Sequence, residues 1–265
     1  MRFDIDAYQA LSGRVTWDDL DLSCFRERPL SAEGLRCLQY MHDIEFHTVC
    51  YLRDLLVTPA HDDHRITTFL TIWNLEELYH GEALAAVLEA HGRPAGVGRI
   101  EPLRRRLGTT RRNLHTLVSM LGSWALRDVT AIHMTWGAVN EWTTQAAYGR
   151  LSALEDHPVL SALLKRLMRQ EGRHVDFYAS EAERRLTGGR RARLLTRLAL
   201  DRFWQPVGSG VAPPDEVGFL VRHLFGGDDG AAVTARIDRR IARLPGLDGL
   251  SVVGRARDAH LAAAA

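Results

Sequence analysis

Residues 74–82 read Asn-Leu-Glu-Glu-Leu-Tyr-His-Gly-Glu, and the centre of this stretch is a Glu-x-x-His pair, Glu77 and His80. On an α-helix, residues three apart lie on the same face, one turn above the other. Glu77 and His80 therefore offer a carboxylate oxygen and an imidazole nitrogen to one bound ion. The pattern returns once, with Glu171 and His174. The spacing predicts two helices that each present a Glu–His pair.

Two further glutamates extend this ligand set. Glu45 lies in the apolar stripe of one predicted helix, and Glu141 lies on the inner stripe of another. Glu45 precedes the first Glu-x-x-His pair by almost the same distance in sequence as Glu141 precedes the second. Two Glu-x-x-His helices, each paired with a helix carrying one inward Glu, make up the di-iron or di-manganese carboxylate site of ferritin-like bundles. The sequence therefore predicts an all-α, ferritin-like four-helix bundle with a dimetal centre.

Each part of this pattern is weak evidence alone. A chain with 12 histidines can contain a Glu-x-x-His pair by chance, and a single Glu among apolar residues is usually a surface residue. The conjunction is stronger, because four carboxylates and two imidazoles buried together would cost many kcal/mol unless cations neutralised them. Carboxylate and imidazole ligands without thiolate favour iron or manganese over structural zinc. We interpret the remaining histidines, including His42, His47 and His133, as non-ligands.

Helix signals give a coarse map of the chain. Four long helices are predicted at 31 to about 57, about 63 to 90, about 128 to 154, and 158 to about 187, with Gly stops after the second and fourth. Residues 93–112 are predicted to be a connector, with a short helix between 113 and 127. We predict one domain over 1–265, made of an arm (1–30), the four-helix core (31–188) and a C-terminal helical appendage (189–265). The short appendage helices are predicted at 192–204, 214–225 and 231–244, followed by a frayed tail at 262–265.

Composition narrows the function classes. The chain has 34 basic and 33 acidic residues and a net charge of +1, which argues against nucleic acid as a partner. Its three cysteines form no C-x-x-C pair, which favours reduced thiols. No secretory signal and no apolar run of about 18 residues is present, so we expect no membrane contact and a cytoplasmic location.

The ligand motifs resemble those of the soluble acyl-carrier-protein desaturases. Residues 76–81, Glu-Glu-Leu-Tyr-His-Gly, are similar to the family's E-E-N-R-H-G motif, and residues 170–174, Gln-Glu-Gly-Arg-His, to its D-E-K-R-H motif. Residues 141–144, Glu-Trp-Thr-Thr, match its Glu-x-x-Thr, and residues 91–93, His-Gly-Arg, resemble its Ser-Gly-Arg. The resemblance covers roughly residues 35–186.

The resemblance implies a ligand set and an activity. It implies that one iron is bound by Glu45, Glu77 and His80 and the other by Glu141, Glu171 and His174, with Glu77 and Glu171 bridging. Thr144 would handle protons or position O2. The implied reaction is O2-dependent desaturation of an acyl chain on an acyl carrier protein, with electrons from a ferredoxin-type donor, two Fe ions (or Mn) as cofactors, and a homodimer as the assembly.

Two departures from the family pattern leave other reactions open. Gln170 replaces the family's Asp, which belongs to a path to the metal, and Leu78-Tyr79 replaces its Asn-Arg pair. Partners of metal ligands tune reactivity strongly. The alternatives are a di-iron hydroxylase or amine oxygenase acting on a small molecule, a ferroxidase or iron-storage protein, and a metal-free helical scaffold.

Two further groups of residues have alternative interpretations. The arginines could steer an acidic carrier protein or electron donor, or they could lie on ordinary solvated faces; they are Arg104-Arg105-Arg106, Arg111-Arg112, Arg190-Arg191 and Arg193. Four aromatic residues one turn from ligands could line a substrate channel, although core packing is the simpler interpretation; they are Trp73, Trp142, Tyr148 and Phe177.

Overall fold

The computed structural model describes residues 3–106 and 128–263, and every regular element in these two ranges is helical. The helices are α1 (Ile5–Leu11), α2 (Ala32–Glu45), α3 (Thr48–Leu56), α4 (His64–Ala90), α5 (Val97–Arg106), α6 (Val129–Glu155), α7 (Pro158–Thr187), α8 (Arg190–Phe203), α9 (Pro214–Phe225), α10 (Gly227–Ile241) and α11 (Val253–Ala262). Short 3-10 turns occupy Leu22–Arg26 and Pro59–Asp62. The all-α prediction is confirmed for the described residues.

Three of the four long helices begin and end close to where their local signals place them. The Asp63 side chain caps α4 by accepting hydrogen bonds from the backbone N–H groups of Arg65 and Ile66. After α4, Gly92 adopts φ +66°, a left-handed conformation that favours glycine at a helix end. Pro158 is the first residue of α7, a position where its missing N–H group has no helical partner to lose.

The predicted helix over 31–57 is wrong in one respect. It is two helices, α2 and α3, interrupted at Phe46 and His47, immediately after Glu45. The hydroxyl of Thr48 donates to the carbonyl oxygen of Glu45 (2.7 Å), which gives that carbonyl a partner at the end of α2. No Gly or Pro marks this break, so the sequence pattern continued through it.

The predicted connector over 93–112 is also corrected, because α5 lies inside it. The N–H group of Gly96, next to the start of α5, donates to His42 Nε2 on α2 (2.9 Å), and the Arg99 guanidinium donates to both oxygens of Asp43 (2.7 and 2.8 Å). Burial raises the pKa of Asp43, but hydrogen bonds from His42 and Arg99 outweigh it and hold that pKa below its usual value. These bonds tie α5 to α2. The short helix predicted within 113–127 lies outside the described residues.

The chain divides into two compact units. The first comprises Asp4–Ala125 and Leu151–Gln170. In its described part α4 is the central element, and α1, α2 and α3 pack against it. Its core includes Leu38, Ile66, Phe69 and Leu84, each fully buried.

The second unit comprises Met1–Phe3, Leu126–Arg150 and Glu171–Ala265. In it α9, α10 and α11 pack against one another. The helix α11 was not predicted, and α10 begins at Gly227, earlier than expected. The Asp238 carboxylate on α10 accepts hydrogen bonds from the backbone N–H groups of Val252, Val253 and Gly254 at the start of α11 (each 2.9 Å), which explains why a helix without a strong local signal begins there. The division predicted from sequence, one domain with an appendage from residue 189, stays a prediction.

The predicted arm over 1–30 contains α1 and is held to α7 by a bidentate ion pair. Arg166 donates to both carboxylate oxygens of Asp19 (2.6 Å each) and to the carbonyl oxygen of Thr16 (2.7 Å). These hydrogen bonds lower the pKa of Asp19 to about 2. Arg166 therefore fixes the path of the chain along α7 one turn before Gln170.

We expect the Asp19 carboxyl to titrate near pH 2 in the wild-type protein and near its ordinary value of 3.8 in Arg166→Met. A carboxyl whose pKa is depressed in the folded state contributes stability above its unfolded pKa, and this contribution disappears as the pH falls through the folded value. The measurement is the pH dependence of the Asp19 ¹³C carboxyl signal. Arg169→Met, an exposed position on the same helix, is the control and should leave the Asp19 titration unchanged.

Among the described helices, none combines the length and the apolar character that crossing a membrane requires.

Candidate metal centre

Two overlapping groups of four side chains bring the predicted ligands together. The first group is Glu45, Glu77, His80 and Glu171, and the second is Glu77, Glu141, Glu171 and His174. Within each group every side chain offers a ligand atom, and these atoms all lie within 4.8 Å of one another. Glu77 and Glu171 belong to both groups. All six predicted metal ligands are therefore present in these groups.

Burial separates this cluster from an ordinary acidic surface patch. His80, Glu171 and His174 are fully buried, and the most exposed of the six, Glu141, is only 6% exposed. Isolated carboxylates are almost never buried to this extent, because loss of hydration is costly. Burial of this many ionisable groups together requires either protons or cations to neutralise them.

Each Glu-x-x-His pair has the geometry that helical spacing predicts. On α4, His80 Nδ1 lies 3.5 Å from Glu77 Oε2, and on α7, His174 Nδ1 lies 3.0 Å from Glu171 Oε2. In both pairs it is Nδ1 that faces the carboxylate of the residue one turn earlier. Each pair thus directs one nitrogen and one oxygen to the same place, as a shared ion requires.

Two glycines near the candidate ligands in sequence allow aromatic rings to pack closely against the helices. A Cβ atom on Gly81, the residue after His80, would lie 2.6 Å from the ring of Phe46, the residue after Glu45. A Cβ atom on Gly137, one turn before Glu141, would lie 2.4 Å from the ring of Tyr178. Real Cβ atoms do not approach so closely, so side chains at these positions would displace the rings. The glycines therefore let the Phe46 and Tyr178 rings pack closely against the backbones of α4 and α6.

A hydrogen-bonded network behind His80 is the part that sequence reasoning missed. His80 Nε2 donates to the side-chain oxygen of Gln170 (2.9 Å), and the Gln170 amide nitrogen donates to Gly13 O (2.8 Å) and to Glu76 Oε1 (3.3 Å). Glu76 also accepts from the Tyr8 hydroxyl (2.8 Å). The sequence marks Gln170 only as a departure from the desaturase motif and does not predict its hydrogen bonds. Tyr8 and Gly13 carried no signal, because they are far from the ligands in sequence.

The other residues that the sequence analysis named are not members of the two groups. Thr144 is half-buried on α6, one turn after Glu141, and its predicted role stays a prediction. His42 hydrogen-bonds Asp43 and the backbone of Gly96 and is not a member of either group. The four aromatic residues proposed for a channel or for the core are all buried: Trp73, Trp142, Tyr148 and Phe177.

Burial raises the pKa of Asp176, two residues after His174.

The arginines differ in how far their side chains are engaged. Arg104 donates to the carbonyl oxygen of Phe46, and Arg193 donates to that of Leu186 (3.0 Å). Arg190 is exposed, and Arg191 lies 3.6 Å from Asp128. Arg104 and Arg193 therefore have structural contacts. Arg111 and Arg112 lie outside the described residues.

The donor set fits two divalent cations. The four glutamates carry a formal charge of −4 when ionised, which two divalent ions would balance, and the two imidazoles are neutral ligands. Oxygen and imidazole donors without thiolate suit iron or manganese. The buried Glu and His side chains can therefore hold metal, and the two shared carboxylates fit a pair of ions better than a single one.

Comparisons of the chain with protein-family models, with curated proteins and with solved structures gave no match.

Proposed function

We propose that this protein is an O2-dependent dimetal oxidoreductase that binds two iron ions, with manganese as the alternative metal. The observation that carries this proposal is the overlap of the two ligand groups, which share Glu77 and Glu171. A carboxylate has two oxygens and can bind two neighbouring cations at once. A buried site with two shared carboxylates is suited to a metal pair that handles O2, whereas a single structural ion needs no such overlap.

We further propose that α2, α4, α6 and α7 are the four helices of a ferritin-like bundle. The support is the distribution of ligands among them. Each Glu-x-x-His pair is on its own helix, and the two single glutamates, Glu45 and Glu141, are on two others. This is the distribution that such bundles use for a dimetal carboxylate site.

The proposed reaction is the desaturation of an acyl chain carried on an acyl carrier protein. In balanced form, a –CH2–CH2– unit, O2, two electrons and two protons give –CH=CH– and two molecules of water. A ferredoxin-type protein is the proposed source of the two electrons. When bound, the two irons would supply the activation of O2 that removal of hydrogen from an unactivated methylene requires. The support is the motif resemblance together with the buried ligand set.

The chain's own residues have defined tasks in this proposal. Glu45, Glu77 and His80 would hold one ion, and Glu141, Glu171 and His174 would hold the other. The six side chains are buried from water, which strengthens electrostatic interactions among them. Thr144, one turn after Glu141 on α6, would hold or transfer a proton through its hydroxyl. Exposed Arg190 would attract an acidic carrier or donor protein, and a homodimer is the proposed assembly.

One alternative has a specific observation in its favour. Gln170, a neutral amide, contacts His80 where the desaturase pattern has a carboxylate. Because such partners tune metal reactivity, insertion of oxygen into a small molecule by a hydroxylase or amine oxygenase is the second candidate. A ferroxidase is a third, and would oxidise Fe²⁺ with O2 without an organic product.

We expect reduced, iron-loaded protein supplied with O2, ferredoxin, its reductase and acyl-loaded carrier protein to give an acyl product lighter by two hydrogens, as measured by mass spectrometry. The matched control is the same protein after iron removal, which should leave the acyl chain unchanged. A product heavier by one oxygen would replace the desaturase by the hydroxylase. Consumption of O2 with Fe²⁺ oxidation and an unchanged acyl chain would favour the ferroxidase.

A further inference from the structure

The side chain that hydrogen-bonds His80 Nε2 is itself held by a segment far away in sequence. Gln170, on α7, hydrogen-bonds His80 Nε2 at 2.9 Å. Its amide nitrogen points at two acceptors, the carbonyl oxygen of Gly13 (2.8 Å) and Glu76 Oε1 (3.3 Å). The carbonyl oxygen of Gly13 can only accept, so the NH2 group of Gln170 must face it. The amide oxygen of Gln170 is therefore the atom that faces His80.

This orientation determines the tautomer of His80. The amide oxygen of Gln170 can only accept, so His80 Nε2 carries the proton and donates it. In the neutral imidazole the other nitrogen, Nδ1, then keeps its lone pair. That nitrogen lies 3.5 Å from Glu77 Oε2, on the side of the ligand group. A metal ligand whose second nitrogen is fixed in this way is held in the protonation state and ring orientation that the ion needs.

The segment 4–13 in turn holds Gln170 in place. Tyr8 on α1 is 2% exposed and donates its hydroxyl proton to Glu76 Oε2 (2.8 Å), and Glu76 is fully buried. The backbone of Gly13 makes two bonds at once, donating to Glu76 Oε1 (3.3 Å) while it accepts from Gln170. Gly13 has φ +155°, which only glycine adopts readily. Two anchors, Tyr8 and Gly13, thus fix the Glu76–Gln170 pair.

We propose that the segment 4–13 is a positioning element of the metal centre: through Glu76 and Gln170 it keeps His80 in the tautomer that presents Nδ1 to the ion. This inference rests on the proposed metal centre and adds residues to it that no ligand motif contains. Coupling between two sites is reciprocal. Docking of the segment strengthens metal binding, and metal binding strengthens docking of the segment by the same factor.

The first test is the affinity for Co²⁺, followed by its visible absorption, in the full chain. Gln170→Leu should weaken Co²⁺ binding about 100-fold and Tyr8→Phe about tenfold, the upper and lower ends of the usual effect of a ligand's hydrogen-bond partner. Matched controls in the same unit are Gln39→Leu and Tyr40→Phe on α2, which should bind Co²⁺ like the wild type.

A second pair of variants separates a specific hydrogen-bond role from simple packing. In Gln170→Glu, the carboxylate can still accept from His80, but its other oxygen faces the Gly13 carbonyl and the Glu76 carboxylate and repels both. Adding Glu76→Gln restores one hydrogen bond between positions 76 and 170. The double variant should therefore recover part of the Co²⁺ affinity that the single variant loses, a rescue that packing alone would not produce.

A third measurement reads the docking of the segment directly. Co²⁺ should slow hydrogen exchange of the backbone amides within Ile5–Leu11 in the wild type, and this protection should be absent in Gln170→Leu. In Zn²⁺-loaded protein with ¹⁵N-labelled histidine, His80 should bind the ion through Nδ1 and carry a proton on Nε2.

The outcomes distinguish the two proposals. If the wild-type chain binds no Co²⁺, the metal centre is wrong and the positioning role fails with it. If the wild type binds Co²⁺ and both Gln170→Leu and Tyr8→Phe bind it equally tightly, the metal centre stands and the positioning role alone is wrong. Ligation of Zn²⁺ through His80 Nε2, or equal exchange protection with and without Gln170, would also overturn the positioning role.

Discussion

Replacing Glu171 by glutamine is expected to weaken binding at both metal positions, whereas replacing Glu141 weakens only one. Glu171 belongs to both ligand groups, and Glu141 belongs only to the group that contains His174. Glutamine keeps the volume of the side chain and removes its charge. Loss of a direct ligand should exceed the 10- to 100-fold loss typical of an indirect partner, so we expect a fall of more than about 100-fold in affinity for Glu171→Gln.

The measurement is metal stoichiometry by elemental analysis together with titration of Co²⁺ or Mn²⁺. Wild-type protein should bind two ions, Glu141→Gln and Glu45→Gln should each retain one, and Glu171→Gln should retain neither. The control is Glu183→Gln, an exposed position on the same helix, which should bind metal like the wild type. Retention of two ions by Glu171→Gln would show that this carboxylate is not shared.

Removing the metal is expected to lower the thermal unfolding midpoint by about 10 to 20 °C. An ion present at 100 times its dissociation constant stabilises the folded state by about 2.7 kcal/mol, and two ions by roughly twice that amount. In a chain of this size each kcal/mol changes the midpoint by about 2–4 °C. Unfolding followed by circular dichroism, with and without a chelator, measures this difference.

The stability of the Glu171→Gln variant should respond differently to metal from that of the wild type. Without metal, the buried carboxylates repel one another, so removing one charge should leave the metal-free variant at least as stable as the metal-free wild type. With metal, the wild type should gain stability and the variant should not. If the variant is less stable than the wild type by the same amount with and without metal, this interpretation is wrong and Glu171 contributes through ordinary packing.

The two Glu–His pairs could be predicted from sequence because they depend on local helical geometry. The helical period places Glu77 with His80 and Glu171 with His174, and no contact with the rest of the chain is needed to know it. The same local chemistry explains why the ends of α4 and the start of α7 were predicted closely, since Asp63, Gly92 and Pro158 act on their own backbone. All six predicted ligands belong to two close groups of buried side chains, and their binding of metal stays a prediction.

Other features required the tertiary structure. The break between α2 and α3 at Phe46 has no Gly or Pro signal. Phe46 contacts residues of other helices there: its carbonyl oxygen accepts a hydrogen bond from Arg104, and its ring packs over Gly81. The helix α5 is held by hydrogen bonds to α2, from the Gly96 N–H group to His42 and from Arg99 to Asp43.

The sequence by itself determined the helical class of the chain and the donor chemistry of the six candidate ligands, since both follow from residue type and a period of a few residues. Only the tertiary structure decided which side chains are hydrogen-bonded to His80 and to its partner Gln170. Gln170, Glu76, Tyr8 and Gly13 are joined by hydrogen bonds that span long stretches of chain. A hydrogen bond between such residues depends on where the whole backbone places two atoms to within a few tenths of an ångström, and no local pattern of residues encodes that placement.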